Sequence, residues 1–162
     1  MILCIDPATR TGWATSDGRS GCWDLAPAKA RKRPPTPAEP DEARLWKLHD
    51  ALREGERATP VTLMVHECAL MHHASARAAQ IAHELQATLK LWARANGVRR
   101  VELTPLDLQR FALGRAAKPK TDDMLNAARA RLGYAGKDDN EADALWLLEW
   151  ARRHEGDWRA TG

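Results

Sequence analysis

The chain has 162 residues, 44% apolar and 29% charged, and at this length roughly 70% of the unfolded surface can be buried, enough for one domain with its own core. These values exclude collagen-like, disordered and membrane-spanning classes. With 25 basic and 22 acidic residues the net charge is +3, which permits nucleic-acid binding without arguing for it. A single domain over residues 1–162 is expected. Cys4, Cys22 and Cys68 are an odd number without metal-ligand spacing, and read as free thiols of a reducing cytoplasm. The N-terminal apolar run is too short for a signal peptide, and no stretch approaches about 18 consecutive apolar residues, so neither a leader nor a membrane span is expected.

Met1 to Ile5 is a short apolar run closed by Asp6-Pro7 and predicts a buried strand. Asp17-Gly18 separates Thr11–Thr15 from Ser20–Leu25, a hairpin signal that makes the first three strands sequential and antiparallel. The segment from Ala26 to Pro40 carries Lys29, Arg31, Lys32 and Arg33, then four prolines, and predicts an extended solvated connection. Asp41 is the expected cap of a helix whose Leu45, Leu48 and Leu52 share a face. Val61 to Val65 predicts a fourth strand, followed by His66 and Glu67 on opposite faces. Ser75 caps a long helix with a stripe of Ala78, Ile81, Ala82, Leu85, Leu89 and Trp92, and Gly97 ends it. Val98 to Leu103 is a fifth strand, closed by Thr104-Pro105. A short helix over Leu106 to Leu113 and a basic turn, Gly114 to Lys120, come next. Thr121, Asp122 and Asp123 open another helix, stopped by Gly133. A last helix follows Asp138, Asp139 and Asn140, with Trp146 and Trp150 assigned to the core. The order β-β-β-α-β-α-β-α-α-α predicts an α/β fold, a mixed five-stranded sheet with helices on both faces.

Three acids occupy suggestive places. Asp6 ends the first strand, Glu67 the fourth, and Asp143 lies early in the last helix, one turn from Asn140 and on its face. Were strands one and four neighbours, Asp6 and Glu67 would lie side by side, and a helix packed there would add Asp143. Converging carboxylates are costly unless divalent cations neutralise them, and oxygen-only ligands suit Mg²⁺ or Mn²⁺. Two such ions roughly 3.5–4 Å apart can hold the attacking water and the leaving oxygen of a phosphodiester. Each acid also has a plainer reading: a turn residue before proline, or a carboxylate at a helix N-terminus.

The run Ile2-Leu3-Cys4-Ile5-Asp6-Pro7-Ala8-Thr9-Arg10-Thr11-Gly12-Trp13-Ala14 resembles the opening motif of the RuvC family of Holliday-junction resolvases, particularly its short phage-type members. Val65-His66-Glu67 with Leu70-Met71 resembles the second motif, Gly114 to Lys120 the basic turn before a helix, and Asn140-Glu141-Ala142-Asp143-Ala144-Leu145 the C-terminal motif. The four occur in the family's order across nearly the whole chain. The resemblance implies an RNase H-like fold and a Mg²⁺-dependent, homodimeric endonuclease of a bacterial or phage-infected cell. Asp6, Glu67 and Asp143 fall on its catalytic carboxylates and Lys120 on its functional lysine; Asn140 joins the metal ligands. Four positions depart from the pattern. Ala8 stands where the family usually has glycine, Asn140 where it often has aspartate, with Asp139 next door as a substitute, and Leu70 and Met71 where it often carries an aromatic wedge.

Contacts to DNA are expected from the basic loop of Lys29, Arg31, Lys32 and Arg33, whose phosphate contacts would be salt-sensitive and sequence-blind. Arg77 near a helix N-terminus is another candidate, as are Arg110, Arg115 and Lys118 flanking Lys120. Leu70 and Met71 are placed to insert between bases, and His72 and His73 to touch DNA rather than zinc. The same residues also read as an ordinary solvated linker, surface arginines and core cover. The leading function is cleavage of four-way DNA junctions by a symmetric homodimer, with the helix from Ser75 to Asn96, lined by Ala78, Ala79, Ala82 and Ala87, as its interface. Cleavage of forks or flaps, a non-catalytic junction-binding module, and an actin-like or sugar-kinase ATPase lacking its second lobe are the alternatives.

Overall fold

The first strand alternates between two different cores, and that alternation sets the architecture. A computed structural model describes residues 1–26, 39–68, 75–114 and 122–155. In β1 (Ile2–Asp6), Ile2 and Cys4 face one side of the sheet and Leu3 and Ile5 the other, all of them buried. β2 (Arg10–Thr15) and β3 (Ser20–Asp24) complete an antiparallel meander, turned at Gly18, whose φ of 92° suits glycine. β4 (Leu63–Glu67) and β5 (Arg99–Leu103) add in parallel on the other side of β1, giving the order β3-β2-β1-β4-β5. The mixed five-stranded sheet and the order of its elements are those the sequence predicts.

Helices cover both faces. α1 (Glu39–Ala58) and α2 (Ala76–Ala95) bury Leu48, Leu52, Leu85, Leu89 and Trp92 against Leu3, Ile5 and Met64. α3 (Pro105–Leu113), α4 (Asp123–Leu132) and α5 (Asp139–Arg153) bury Leu108, Ala112, Leu125, Ala128 and the inner face of α5 against Ile2, Cys4, Leu63 and Val65. Full burial of one such aliphatic or aromatic side chain contributes about 1.5–3 kcal/mol, so each layer is held by many comparable terms.

Local caps set the boundaries. Ser75 accepts from the Ala78 N–H at 3.1 Å, and Thr104 from Asp107 at 3.1 Å, with Pro105 opening α3. α1 begins at Glu39 rather than after Asp41, since Pro40 in a first helical turn gives up an N–H that would have no partner anyway. α5 begins at Asp139 because Asp138 is its cap. Two core assignments change. Ala78, Ile81 and Ala82 are only half-buried, because the core under α2 lies beneath its second half. Trp146 is fully buried, whereas Trp150 lies at the rim, stacked on His154 at 4.4 Å.

Candidate active site at the strand ends

Asp6 and Glu67 terminate adjacent parallel strands, one step beyond the pair Ile5–His66. Alternation turns both toward the face carrying α5, while His66 points to the α1–α2 side and is fully buried there. α5 lies close over β1 and β2 and delivers Asp143 to the same place. Its approach depends on Gly12: a Cβ built there would stand 1.9 Å from the Asn140 carbonyl oxygen. No side chain fits between this strand and the first turn of α5.

A ring of polar contacts bolts that helix end to the meander. Asp138 accepts from the Glu141 N–H at 3.1 Å and from the Cys22 thiol at 2.9 Å, and pairs with Arg10. Glu141 accepts from Ser20 at 2.7 Å and from the Tyr134 hydroxyl at 2.8 Å. Burial first, then the bond to Glu141, pushes Tyr134 up to about 12, so its hydroxyl stays a donor. Burial likewise pushes the Cys22 thiol up to about 12, with Asp138 adding to the effect.

The three central carboxylates are in a different state. Burial, then the charges of Glu67, Asp143, Asp139 and Asp138, holds Asp6 well above the ordinary carboxylate range. Burial and the charge of Asp143 push Glu67 up to about 8, and burial and Asp139 push Asp143 up to about 7. The Oδ1 atom of Asp143 is buried without a hydrogen-bond partner among the described residues. Among those residues no three His, Cys, Asp or Glu side chains are gathered into a ready-made metal cage; the acids repel one another, which opposes closer approach. Carboxylates with raised pKa, an orphaned buried oxygen and an all-oxygen donor set fit a hard divalent cation.

The structure brings Asp6, Glu67 and Asp143 within electrostatic reach of one another, with Asp139 beside them. Asn140 lies on the same first turn of α5, and the charge of Asp139 beside it helps to raise the pKa of Asp6 and Asp143. The departure at Ala8 requires no strain, since among the described residues only glycines have positive φ. Arg77 is exposed, with a bond to Gln80 at 3.1 Å, and Arg110 lies 3.5 Å from Asp107. Lys29, Arg31, Lys32, Arg33, Leu70, Met71, His72, His73, Arg115, Lys118 and Lys120 lie outside the described residues. Sequence reasoning missed Gly12, Arg10, Asp138, Tyr134 and Glu141 as the parts that seat α5. The only signal for them was Asp138 preceding the helix.

The strand end bearing Glu67 is also held from behind. The Glu67 carbonyl accepts from Gln86 Nε2 on α2 and from His66 Nδ1, each at 3.0 Å. His66 Nε2 in turn accepts from Arg100 at 3.0 Å. Arg100 and Lys90 both pair with Glu102, the lysine at 3.1 Å. Burial holds His66 below its usual pKa, consistent with a neutral ring that donates from one nitrogen and accepts at the other.

Compared with solved structures, the chain superposes on Thermus thermophilus RuvC with a TM-score of 0.65 at 16% identity, covering 95% of this chain and 96% of that one. The chain has the fold of RuvC. The RuvC of the same organism in complex with a Holliday junction substrate matches with a TM-score of 0.63 at 19% identity, over 90% of this chain and 88% of that one. The yeast mitochondrial Holliday junction resolvase Ydc2 matches at 0.51 and 10% identity, over 90% and 76%. By sequence, neither a family model nor a curated protein matches. The RuvC-like fold thus agrees with the RNase H-like architecture that the sequence motifs imply.

Proposed function

We propose that this protein is a structure-specific endodeoxyribonuclease that cuts four-way DNA junctions as a Mg²⁺-dependent homodimer. The observation that carries the reading is the group Asp6, Glu67 and Asp143: half-buried, mutually repelling carboxylates gathered where two strand ends meet α5 in a RuvC-like fold. One of the structures sharing this fold is a complex with a Holliday junction substrate, which favours four-way junctions over the fork and flap alternatives.

Asp6, Glu67 and Asp143 would hold Mg²⁺, or Mn²⁺ in its place, with Asn140 or Asp139 completing the set. When bound, such ions supply charge stabilisation for the attacking and leaving oxygens of a phosphodiester. The chain's own part is to hold three partly desolvated, mutually repelling carboxylates on strand and helix ends, so that a divalent cation neutralising several of them at once relieves the repulsion. Lys120 would act on the developing charge at phosphate. Lys29, Arg31, Lys32, Arg33, Arg77, Arg110, Arg115 and Lys118 would meet backbone phosphates, and Leu70, Met71, His72 and His73 the branch point. No described helix is long and apolar enough to cross a membrane.

A junction needs two cuts in strands of like polarity, and a C2 pair presents two equivalent sites. The surface of α2 and its neighbour α1 supports such a pairing, for Leu91 is 72% and Trp46 64% exposed. The test is cleavage of four-way, three-way, flap and linear DNAs with Mg²⁺, alongside Asp6→Asn. Paired nicks in the four-way substrate only, lost in the variant, support the reading; equal cutting of flaps or no cutting overturns it. Sedimentation equilibrium should give twice the chain mass, shifted toward the monomer by Ala82→Glu.

A further inference from the structure

We infer that Gln86, on α2, is a positioning residue for Glu67, replacing a main-chain donor that the sheet itself lacks at that strand end; the inference rests on the metal-dependent nuclease reading. The Cys68 N–H donates to the Leu103 carbonyl at 2.8 Å, toward β5. In a trans peptide the preceding carbonyl, that of Glu67, points the other way, toward β1. Carried one step past Ile5–His66, the parallel β1–β4 ladder would offer this carbonyl the N–H of residue 7. Residue 7 is proline and has none.

Two side chains take its place. Gln86 Nε2 and His66 Nδ1 each reach the Glu67 oxygen at 3.0 Å. His66 is only one residue away and rides on the same strand, so it cannot tie that strand to anything by this bond alone. Gln86 is 19 residues away and belongs to another layer. It is 5% exposed, in a helix whose other buried residues are apolar. A polar amide in such a position costs free energy unless its hydrogen bonds are made, and this one is made to the main chain of a proposed ligand. The bond therefore fixes the height and twist of the last peptide of β4, and with it the direction in which Glu67 leaves the sheet. It also ties that direction to α2, the helix proposed to carry the dimer contact.

Gln86→Met keeps length and removes the donor; Gln86→Asn keeps polarity and falls a methylene short. Loss of a group that orients a metal ligand typically costs about 10- to 100-fold in metal affinity or activity. Both variants should bind Mn²⁺ at least tenfold more weakly by calorimetry and need correspondingly more Mg²⁺ for single-turnover cleavage. Junction Kd should stay within about twofold, because no phosphate contact changes. Amide exchange at Cys68 should quicken in both, while unfolding remains cooperative. Wild-type Mn²⁺ affinity and Mg²⁺ requirement in either folded variant would overturn the inference. If the wild-type protein neither binds Mn²⁺ nor cuts, the nuclease reading falls instead. Exchange at Cys68 then still decides the clamp: unchanged protection in both variants refutes it, faster exchange upholds it.

Discussion

Two groups of acids meet at the first turn of α5, and they are in opposite electrostatic states. Asp138 is half-buried, and that partial desolvation alone would raise its pKa, yet bonds from Cys22, the Glu141 N–H and Arg10 outweigh it and the net shift is downward. Glu141 is likewise engaged by Ser20 and Tyr134. Five residues from Asp138, Asp143 has no partner for Oδ1 among the described residues and is pushed up to about 7, and Glu67 and Asp6 are likewise shifted upward. The first group behaves as joinery: each charge is answered, and the helix end is seated. The second is charge left unanswered within the fold, which is what a site for a cation requires. Acid content alone would not separate them, since the two groups meet at one helix end and contain the same residue types.

The largest effect that can test this contrast is on cleavage. Asp6→Asn, Glu67→Gln and Asp143→Asn should each reduce the single-turnover rate by on the order of 10²- to 10³-fold or more, the scale for removing one electrostatic element of a reacting centre, with junction Kd nearly unchanged. Substantial cleavage retained by any one of them would move that residue to the structural group. Asn140→Asp should be tolerated, because it adds one ligand charge beside Asp139.

A smaller effect is expected where the two groups are held in register. Gly12→Ala places a methyl group against the Asn140 carbonyl, and overpacking of this kind costs about 1–3 kcal/mol. Urea denaturation should show that loss, and cleavage should fall with it as α5 is pushed off the strand. A neutral Gly12→Ala would mean that the helix end can shift without harm.

Stability against pH should read the contrast with opposite signs. Glu67 and Asp143 have folded pKa values of about 8 and about 7, raised above their ordinary values. Between the unfolded and folded values the native state holds more protons than the unfolded one, so unfolding free energy falls as pH rises from about 4 to about 8. Without divalent cations, Tm should drop by several degrees between pH 5.5 and 8.5, and Mg²⁺ should restore it at the higher pH. Asp143→Asn should flatten that slope and stabilise the metal-free protein at pH 8.5. Asp138→Ala should instead lower stability by about 1 kcal/mol at both pH values through loss of a helix cap, because a depressed carboxylate pKa adds slope only in the acid range. Equal slopes in the wild type and Asp143→Asn would contradict the assignment. The smallest effect belongs to Tyr134→Phe, which removes one bond to Glu141 and should cost about 0.5–1.5 kcal/mol by chemical denaturation, leaving cleavage at wild-type rate.

What the sequence by itself determined was whatever depends on neighbours along the chain. The apolar run closed by Asp6-Pro7, the Asp17-Gly18 turn, the Ser75 cap and the Leu48/Leu52 face are local signals, and they placed every strand and helix in order. The acids of the candidate site could be singled out for the same reason: strand-end and helix-start positions can be read from flanking residues. Only the tertiary structure decided which acids are answered. Asp138 and Asp139 are adjacent and alike in sequence, but Arg10 and Cys22 reach the first from 128 and 116 residues away, while the second adds its charge to the repelling group. Gly12 shows the same division. Its strand conformation makes no local demand for glycine, and the requirement exists only because α5 crosses at contact distance. Gln86 looks like a polar interruption in an apolar stripe until the sheet brings the Glu67 carbonyl beneath it. Propensity and patterning act over a few residues, whereas charge compensation, close backbone approach and the filling of a missing ladder bond act through space, between segments that meet only when the chain has closed.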